Sequence, residues 1–302
     1  MGIRLGKLDG KVVVVTGAGR GFGRAIALAM GSAGAKVVAV ARNTNELGTL
    51  AAEMKSQGQQ VLTVPTDLSK PEEIDRLRKA ALDAFGRMDV VYNNAAISLW
   101  KTFEEMEIAD WDFTIDVNLR GYFLVAKSFL DSMKEHHGGS IVNVSSSSAE
   151  LGFIGEIAYC PSKFGIEGLT QCMALELRPY NIAVNSLNVS ALEGKSLKPT
   201  GLTEEESSNL PDAVKTNYSD NTELARAFGD AWVFLALQRG NGITGQRFRT
   251  KDLAVSLAAE GPEKLVEKYK GKLMRATYQT IDFPKVVRYQ TPGGGIKEQR
   301  FD

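Results

Sequence analysis

Val12-Val13-Val14-Val15-Thr16-Gly17-Ala18-Gly19-Arg20-Gly21-Phe22-Gly23, followed by the helical pattern Arg24–Ala33, is the stretch on which the fold turns. The strand Lys11–Thr16 runs straight into a glycine turn and then a helix. Glycines let a backbone approach a pyrophosphate without Cβ clashes, and a helix N-terminus offers free N–H groups and positive partial charge. A dinucleotide phosphate fits such a turn. Counting from Gly17 or Gly19 puts Phe22 or Arg24 where the third glycine of G-x-G-x-x-G belongs, so the spacing is T-G-x-x-x-G-x-G instead. No Gly-Lys-Ser/Thr follows, which excludes a P-loop. Gly17, Gly19, Arg20, Gly21, Phe22 and Gly23 are therefore candidate cofactor-binding residues.

Outward from this turn, apolar β-branched runs recur at Val37–Val40, Val61–Val64, Val90–Tyr92, Ile141–Val144 and Ile182–Leu187, with longer helical patterns between them. Stacked βαβ units follow, and runs this apolar suit a parallel sheet covered by helices on both faces. The expected fold is α/β and doubly wound, with about seven strands. Regularity breaks at 190–221, a polar loop placed after the sixth strand, where open α/β sheets bind ligands; it reads as a lid over the substrate. Beyond a helix at Thr222–Gln238 and a last strand near Gln246–Thr250, the helices Asp252–Glu260 and Pro262–Lys270 lead into a tail with a flexible turn at Gly293–Gly295. The expected organisation is a nucleotide-binding and catalytic domain, 1–251, and a C-terminal extension, 252–302, packed on the same domain or on a neighbouring subunit.

Charge and cysteine content narrow the partners. The 36 Lys+Arg balance 36 Asp+Glu, so no global field draws in nucleic acid or an anionic membrane. No run reaches the ~18 apolar residues of a membrane span. The start, MGIRLGKLDG, carries no signal-peptide core, and two cysteines, Cys160 and Cys172, are too few for a disulfide framework. These features read as a cytoplasmic protein acting on a small molecule. His136 and His137 sit at a helix end, where imidazoles favour the negative dipole terminus, and no metal site is expected.

The end of the second strand reads Val40-Ala41-Arg42-Asn43, and no carboxylate lies in Val37–Asn45. NAD-binding sites place an acid there for the ribose hydroxyls. Arg42 can instead clamp a ribose 2′-phosphate with bidentate bonds, joined by Arg20. NADP(H) is the cofactor expected, with Asn43 beside it.

Tyr159-Cys160-Pro161-Ser162-Lys163 opens a helix running to about Leu177, with Pro161 tolerable in the first turn. Positions i and i+4 share a face. An ammonium ~4 Å from the phenol would favour phenolate by ~4 kcal/mol at effective dielectric ~20, about three pKa units. Upstream, Ile141–Val144 ends in Ser145-Ser146-Ser147-Ser148, whose hydroxyls would emerge at the sheet's ligand-binding edge.

Taken together, Thr16–Gly23, Asn93-Asn94-Ala95, Asn118, Ser146 and Tyr159/Lys163 resemble the main branch of the short-chain dehydrogenase/reductase family, over about Leu8 to Thr250 and in the family's order and spacing. The resemblance implies a Rossmann-like sheet and an oxidoreductase acting on a carbonyl/secondary alcohol pair, with ketone reduction as the expected direction. It implies that Tyr159 exchanges a proton with the reacting oxygen, that Ser146 polarises that oxygen, and that Lys163 binds the nicotinamide ribose and lowers the tyrosine pKa. Asn118 would hold a relay water. Asp67 and Leu68 would contact adenine, while Asn94, Ala95, Ala96 and Val189 would line the cofactor site. Homodimers or homotetramers through helices at about Trp111–Lys134 and Tyr159–Leu177 are implied as well.

Three departures from the family pattern stand out. Ala96 replaces a glycine, Val189-Ser190 replaces Pro-Gly, and the threonine that anchors the carboxamide has no counterpart, Gly194 and Ser196 lying near its place. They motivate an alternative, a catalytically idle NADP(H)-binding regulatory or scaffold protein. Ile97, Leu99, Trp100, Ser148, Leu151, Phe153 and Ile157 can wall the substrate pocket in this fold, and core or helix packing is an equal reading for the apolar ones. If they face the site, the substrate is largely apolar.

Overall fold

The computed structural model describes residues 8–195, 220–275, 284–291 and 295–301. Strands β1 (Val12–Thr16), β2 (Lys36–Ala41), β3 (Val61–Pro65), β4 (Val90–Asn93), β5 (Gly139–Ser145), β6 (Ile182–Asn188) and β7 (Arg247–Arg249) form one sheet in the order β3-β2-β1-β4-β5-β6-β7. Every pairing in it is parallel. The seven-stranded Rossmann-like sheet expected from the valine-rich runs is therefore present. After β3 the chain returns across β1 to place β4 on its other side. That reversal opens the crevice at the carboxyl ends of the strands where ligands of open α/β sheets bind.

Helices cover both faces because β1, β5 and β6 are buried along their whole length and leave no polar face to solvent. On one side lie α1 (Gly21–Ser32), α2 (Thr44–Ser56) and α7 (Asn221–Ala236), packed through Ile26, Leu50 and the fully buried Trp232. On the other lie α3 (Pro71–Phe85), α5 (Gly121–Glu135) and α6 (Tyr159–Leu177), packed through Leu77, Phe129 and Ala174. Local chemistry sets the helix ends. Pro71 starts α3, whose missing N–H costs nothing there, and Gly86 ends it at φ 72°. Asp220 and Glu223 form a capping box on α7.

The single helix expected over Trp111–Lys134 is interrupted. α4 (Ile108–Ile115) passes through a π-helical turn, Asp116–Arg120, before α5 begins. Such bulges recur at functional sites, and this one carries Asn118.

Beyond α7 come β7, α8 (Thr250–Glu260) and α9 (Pro262–Tyr269), with Leu253, Leu257 and Leu265 joining the first core layer. The tail then forms an antiparallel hairpin, β8 (Val286–Gln290) and β9 (Ile296–Arg300). It leans on the loop after β4, enclosing a cleft of about 460 Å³ lined by Trp100, Phe103, Glu105, Tyr289 and Lys297 among others. Most of the expected lid, 196–219, and the Gly293–Gly295 turn except Gly295 lie outside the described residues.

At the opposite end of the sheet, Asp89 is 1% exposed. It accepts hydrogen bonds from Arg87 (2.6 and 2.8 Å), from Lys11 (3.0 Å) and from the Val12 N–H (3.0 Å). Burial pushes its pKa up, but Arg87, the Val12 N–H and Lys11 outweigh that and hold it below the usual carboxylate value. A depressed folded-state pKa contributes stability above the unfolded value, ~3.9, and loses it as pH falls through the folded one. Asp89→Asn should therefore cost about 2 kcal/mol at neutral pH and progressively less below pH ~4, measured by urea melts across that range.

Candidate active site

The glycine turn closes against β4. Gly17 has φ 67°, and a Cβ there would lie 2.8 Å from Asn94 Nδ2 and 2.9 Å from the Ala95 Cα. The Thr16 hydroxyl receives the N–H groups of Asn94 (2.9 Å) and Ala95 (3.1 Å), and the Asn94 amide donates to the Thr16 carbonyl at 3.0 Å. Asn94 thus clasps β1 to β4 directly under the turn. A Cβ on Gly23 would collide with the Gly17 carbonyl and lie 2.5 Å from Asn94 Nδ2. No side chain caps the N-terminus of α1, and no acid lies in its first turn. Its N–H groups and dipole are therefore suited to an anion, which fits a dinucleotide pyrophosphate. Phe22 turns its ring into the core, edge-on to Trp232 at 5.4 Å, so only its backbone belongs to the turn.

Arg42, at the end of β2, is exposed and lies over the Phe113 ring of α4 at 5.8 Å. Among the described residues it makes no ion pair. Arg20 instead stands 4.0 Å from Glu46, a carboxylate in the first turn of α2 that also abuts Gly19. Glu46 lies one residue beyond the acid-free stretch Val37–Asn45 and went unread in the sequence. Asn43 caps α2 through Oδ1, accepting from Asn45 (2.9 Å) and Glu46 (3.1 Å). Asp67 folds on itself, its Oδ1 accepting from the Ser69 N–H (3.0 Å) and hydroxyl (2.8 Å), and Leu68 is buried beside Gly121.

Ser146, Tyr159, Lys163 and Asn118 converge where β5 meets α6. Lys163 is 1% exposed, donates to the Val144 carbonyl at 2.9 Å, and lies 5.4 Å from the ring centres of both Tyr159 and Tyr122. Burial pushes its pKa down to about 7, partly opposed by Glu167. Burial and then Glu156 push the Tyr159 hydroxyl well above its usual value, against a contact from Ser146 that lowers it. The balance runs opposite to a tyrosine lowered by its lysine. Tyr159 holds its proton, as a donor must, and a buried amine near 7 can exchange one at neutral pH. Asn118 spends its amide on Ile97, accepting its N–H at 2.8 Å and donating to its carbonyl at 2.9 Å, and donates to Ser162 Oγ at 3.1 Å. It holds the post-β4 loop against α6.

Two features were not read from the sequence. Arg247 of β7 donates to the Ser146 carbonyl at 2.8 Å while pairing with Glu150 (2.9 Å) and Glu167 (3.2 Å). Glu156, 8% exposed, accepts from Ser148 Oγ at 2.7 Å. Of the expected pocket walls, Ile97 and Ser148 are buried, whereas Leu151 and Phe153 are about half exposed. Ala96, Leu99, Trp100, Ile157 and Val189 are half-buried, Val189 against the first core layer. Among the described residues no cluster of His, Cys, Asp or Glu could hold a metal, and no helix is long and apolar enough to cross a membrane.

Residues 11–205 match the family model for short chain dehydrogenase. A 3-oxoacyl-(acyl-carrier-protein) reductase of Aquifex aeolicus is 32% identical over 247 residues, covering 80% of this chain and 95% of that protein. D-threitol dehydrogenase of Mycolicibacterium smegmatis is 35% identical over 60% of this chain and 70% of its own length. Among solved structures, a metagenomic short-chain oxidoreductase in complex with NADP superposes with a TM-score of 0.66 at 30% identity, covering 80% of this chain and 97% of that one.

Proposed function

The chain belongs to the short-chain dehydrogenase/reductase family, and from that premise we propose that it moves a hydride between NADP(H) and a carbonyl/secondary alcohol pair, with Tyr159 as proton donor and acceptor. The observation that carries this reading is the convergence of Tyr159, Lys163 and Ser146 at the sheet edge that also bears the uncapped α1 N-terminus. When bound, the nicotinamide supplies or accepts the hydride. The chain's residues do the rest. Gly17, Gly19, Gly21 and Gly23 admit the pyrophosphate, and the first N–H groups of α1 bind it. Lys163 holds ribose hydroxyls, Ser146 donates to the substrate oxygen, and Tyr159 gives that oxygen its proton in reduction or takes it in oxidation. Ile97 and the neighbouring apolar residues of the post-β4 loop favour a largely apolar ketone.

NADP(H) preference rests on Arg42, which stacks on Phe113 and pairs with no acid among the described residues. Glu46 works against Arg20 as a second clamp. Arg42→Ala should raise the NADPH dissociation constant about 10- to 100-fold and leave NADH within a few-fold, since each tenfold step is about 1.4 kcal/mol and a charge-assisted bidentate contact reaches twice that. Fluorescence titration of both cofactors measures it, and equal losses for the two would assign the 2′-phosphate elsewhere. We further infer a cytoplasmic homodimer or homotetramer. The exposed Phe123 of α5 and Phe164 and Leu175 of α6 are the surface such contacts would cover.

A further inference from the structure

We propose that Glu156 is a further positioning residue of this active site, a buried carboxylate that fixes the direction of the serine hydroxyls facing the reacting oxygen and holds a negative charge beside the proton-donating phenol. The inference rests on the catalytic reading of Tyr159 and Ser146 above.

Four hydrogen bonds define the arrangement. Ser146 Oγ stands 3.2 Å from Ser148 Oγ and receives the Ser148 N–H at 3.2 Å. Ser148 Oγ stands 2.7 Å from Glu156 Oε2, which also accepts from Cys160 Sγ at 3.3 Å. A carboxylate only accepts, so the one proton of Ser148 must point at Glu156. Ser148 then meets Ser146 with a lone pair and cannot donate to it. The only proton left to Ser146 is its own, free to turn between Ser148 and the substrate oxygen, so the chain presents a donor to that oxygen and never a competing proton.

The charge has a second consequence, because little around it offsets it. The groups around Glu156 are Ser148 on the turn after β5, Tyr159 and Cys160 on α6, and Lys101 of the post-β4 loop, whose backbone bridges to Glu156 while its ammonium pairs with Asp110 at 2.5 Å. Lys163 stands behind the Tyr159 ring. Among the described residues no cation pairs with Glu156. A buried charge of this sign disfavours the phenolate, so Tyr159 stays a proton donor to higher pH. The cysteine feels it as well, its thiol being pushed up to about 12 by burial and, to a smaller degree, by Glu156.

Glu156→Gln keeps the shape and removes the charge. The limb of the pH profile at which Tyr159 loses its proton should move down by about one pH unit, as expected for a charge at this range in a partly screened site. Oxidation at neutral pH would then gain up to about tenfold, while reduction would fail earlier on the alkaline side. Ser148→Ala separates the two roles. It leaves the charge in place and should cut kcat about tenfold with the limb unmoved. NADPH affinity unchanged in both variants shows that they are folded. An unmoved limb in Glu156→Gln together with unchanged kcat in Ser148→Ala overturns the inference while leaving the catalytic reading intact. Absence of turnover in the wild type overturns both.

Discussion

Tyr159→Phe should lower turnover by at least the ~10² to 10⁴ that general acid–base groups contribute, while NADPH affinity stays within a few-fold. The separation follows from position. Tyr159 stands at the first turn of α6 beside Ser146, and the glycine turn that would hold the cofactor's phosphates is built from β1, α1 and β4. Removing the hydroxyl takes away the proton and one hydrogen bond to the reacting oxygen, and it leaves the phosphate cradle untouched. Lys163→Ala should behave differently, losing cofactor affinity together with rate, because the proposed mechanism gives its ammonium both roles. Stopped-flow turnover beside fluorescence titration distinguishes the two variants. A Tyr159→Phe enzyme of wild-type rate would remove the phenol from the chemistry.

The second large effect belongs to the turn. Gly23→Ala places a methyl group against the Gly17 carbonyl and 2.5 Å from Asn94 Nδ2, both of them fixed by the β1–β4 clasp. The Gly17 carbonyl is backbone, and the Asn94 amide is tied to the Thr16 carbonyl, so the backbone must move or the clasp must break. Overpacking of this kind costs about 1–3 kcal/mol, and at ~1.4 kcal/mol per tenfold a cost borne by the cradle lowers NADPH affinity about 10- to 100-fold. Gly21→Ala is the informative contrast. An added Cβ there meets nothing within 4 Å, and only its φ of 57° penalises alanine. Titration of NADPH into both variants, with melting curves, checks the order; equal affinities would mean that Gly23 does not shape the site.

The sheet was legible because a strand buried on both faces must be written as a nearly unbroken apolar run, and the runs at Val12, Val37, Val90, Ile141 and Ile182 are. The Tyr159–Leu177 helix was legible from its motif and period. What escaped notice is instructive. The π-turn at Asp116–Arg120 adds one residue to a helix, a change of register that leaves composition untouched. The tail hairpin carries charges at three of the five positions of β9, all five of them exposed, and has no core of its own to announce it. Glu46 and Glu156 are single acids whose importance comes from what the fold brings beside them, Arg20 in one case and Ser148 in the other. Glu156 did leave one sequence signal. It stands three residues before Tyr159 and four before Cys160, in the turn that leads into α6. Arg247 and Ser146 are 101 positions apart, and the β5–β6 and β6–β7 pairings bring them together.

The central claim, hydride transfer governed by Tyr159, is tested most directly by following the hydride itself. Incubated with a panel of apolar ketones and NADPH deuterated at the transferable nicotinamide position, the wild-type protein should return an alcohol bearing one deuterium by mass spectrometry, and Tyr159→Phe should return essentially none. Tight NADPH binding with no deuterium in any product, and no oxidation of the matching alcohols with NADP, would contradict the account and favour an idle nucleotide-binding protein.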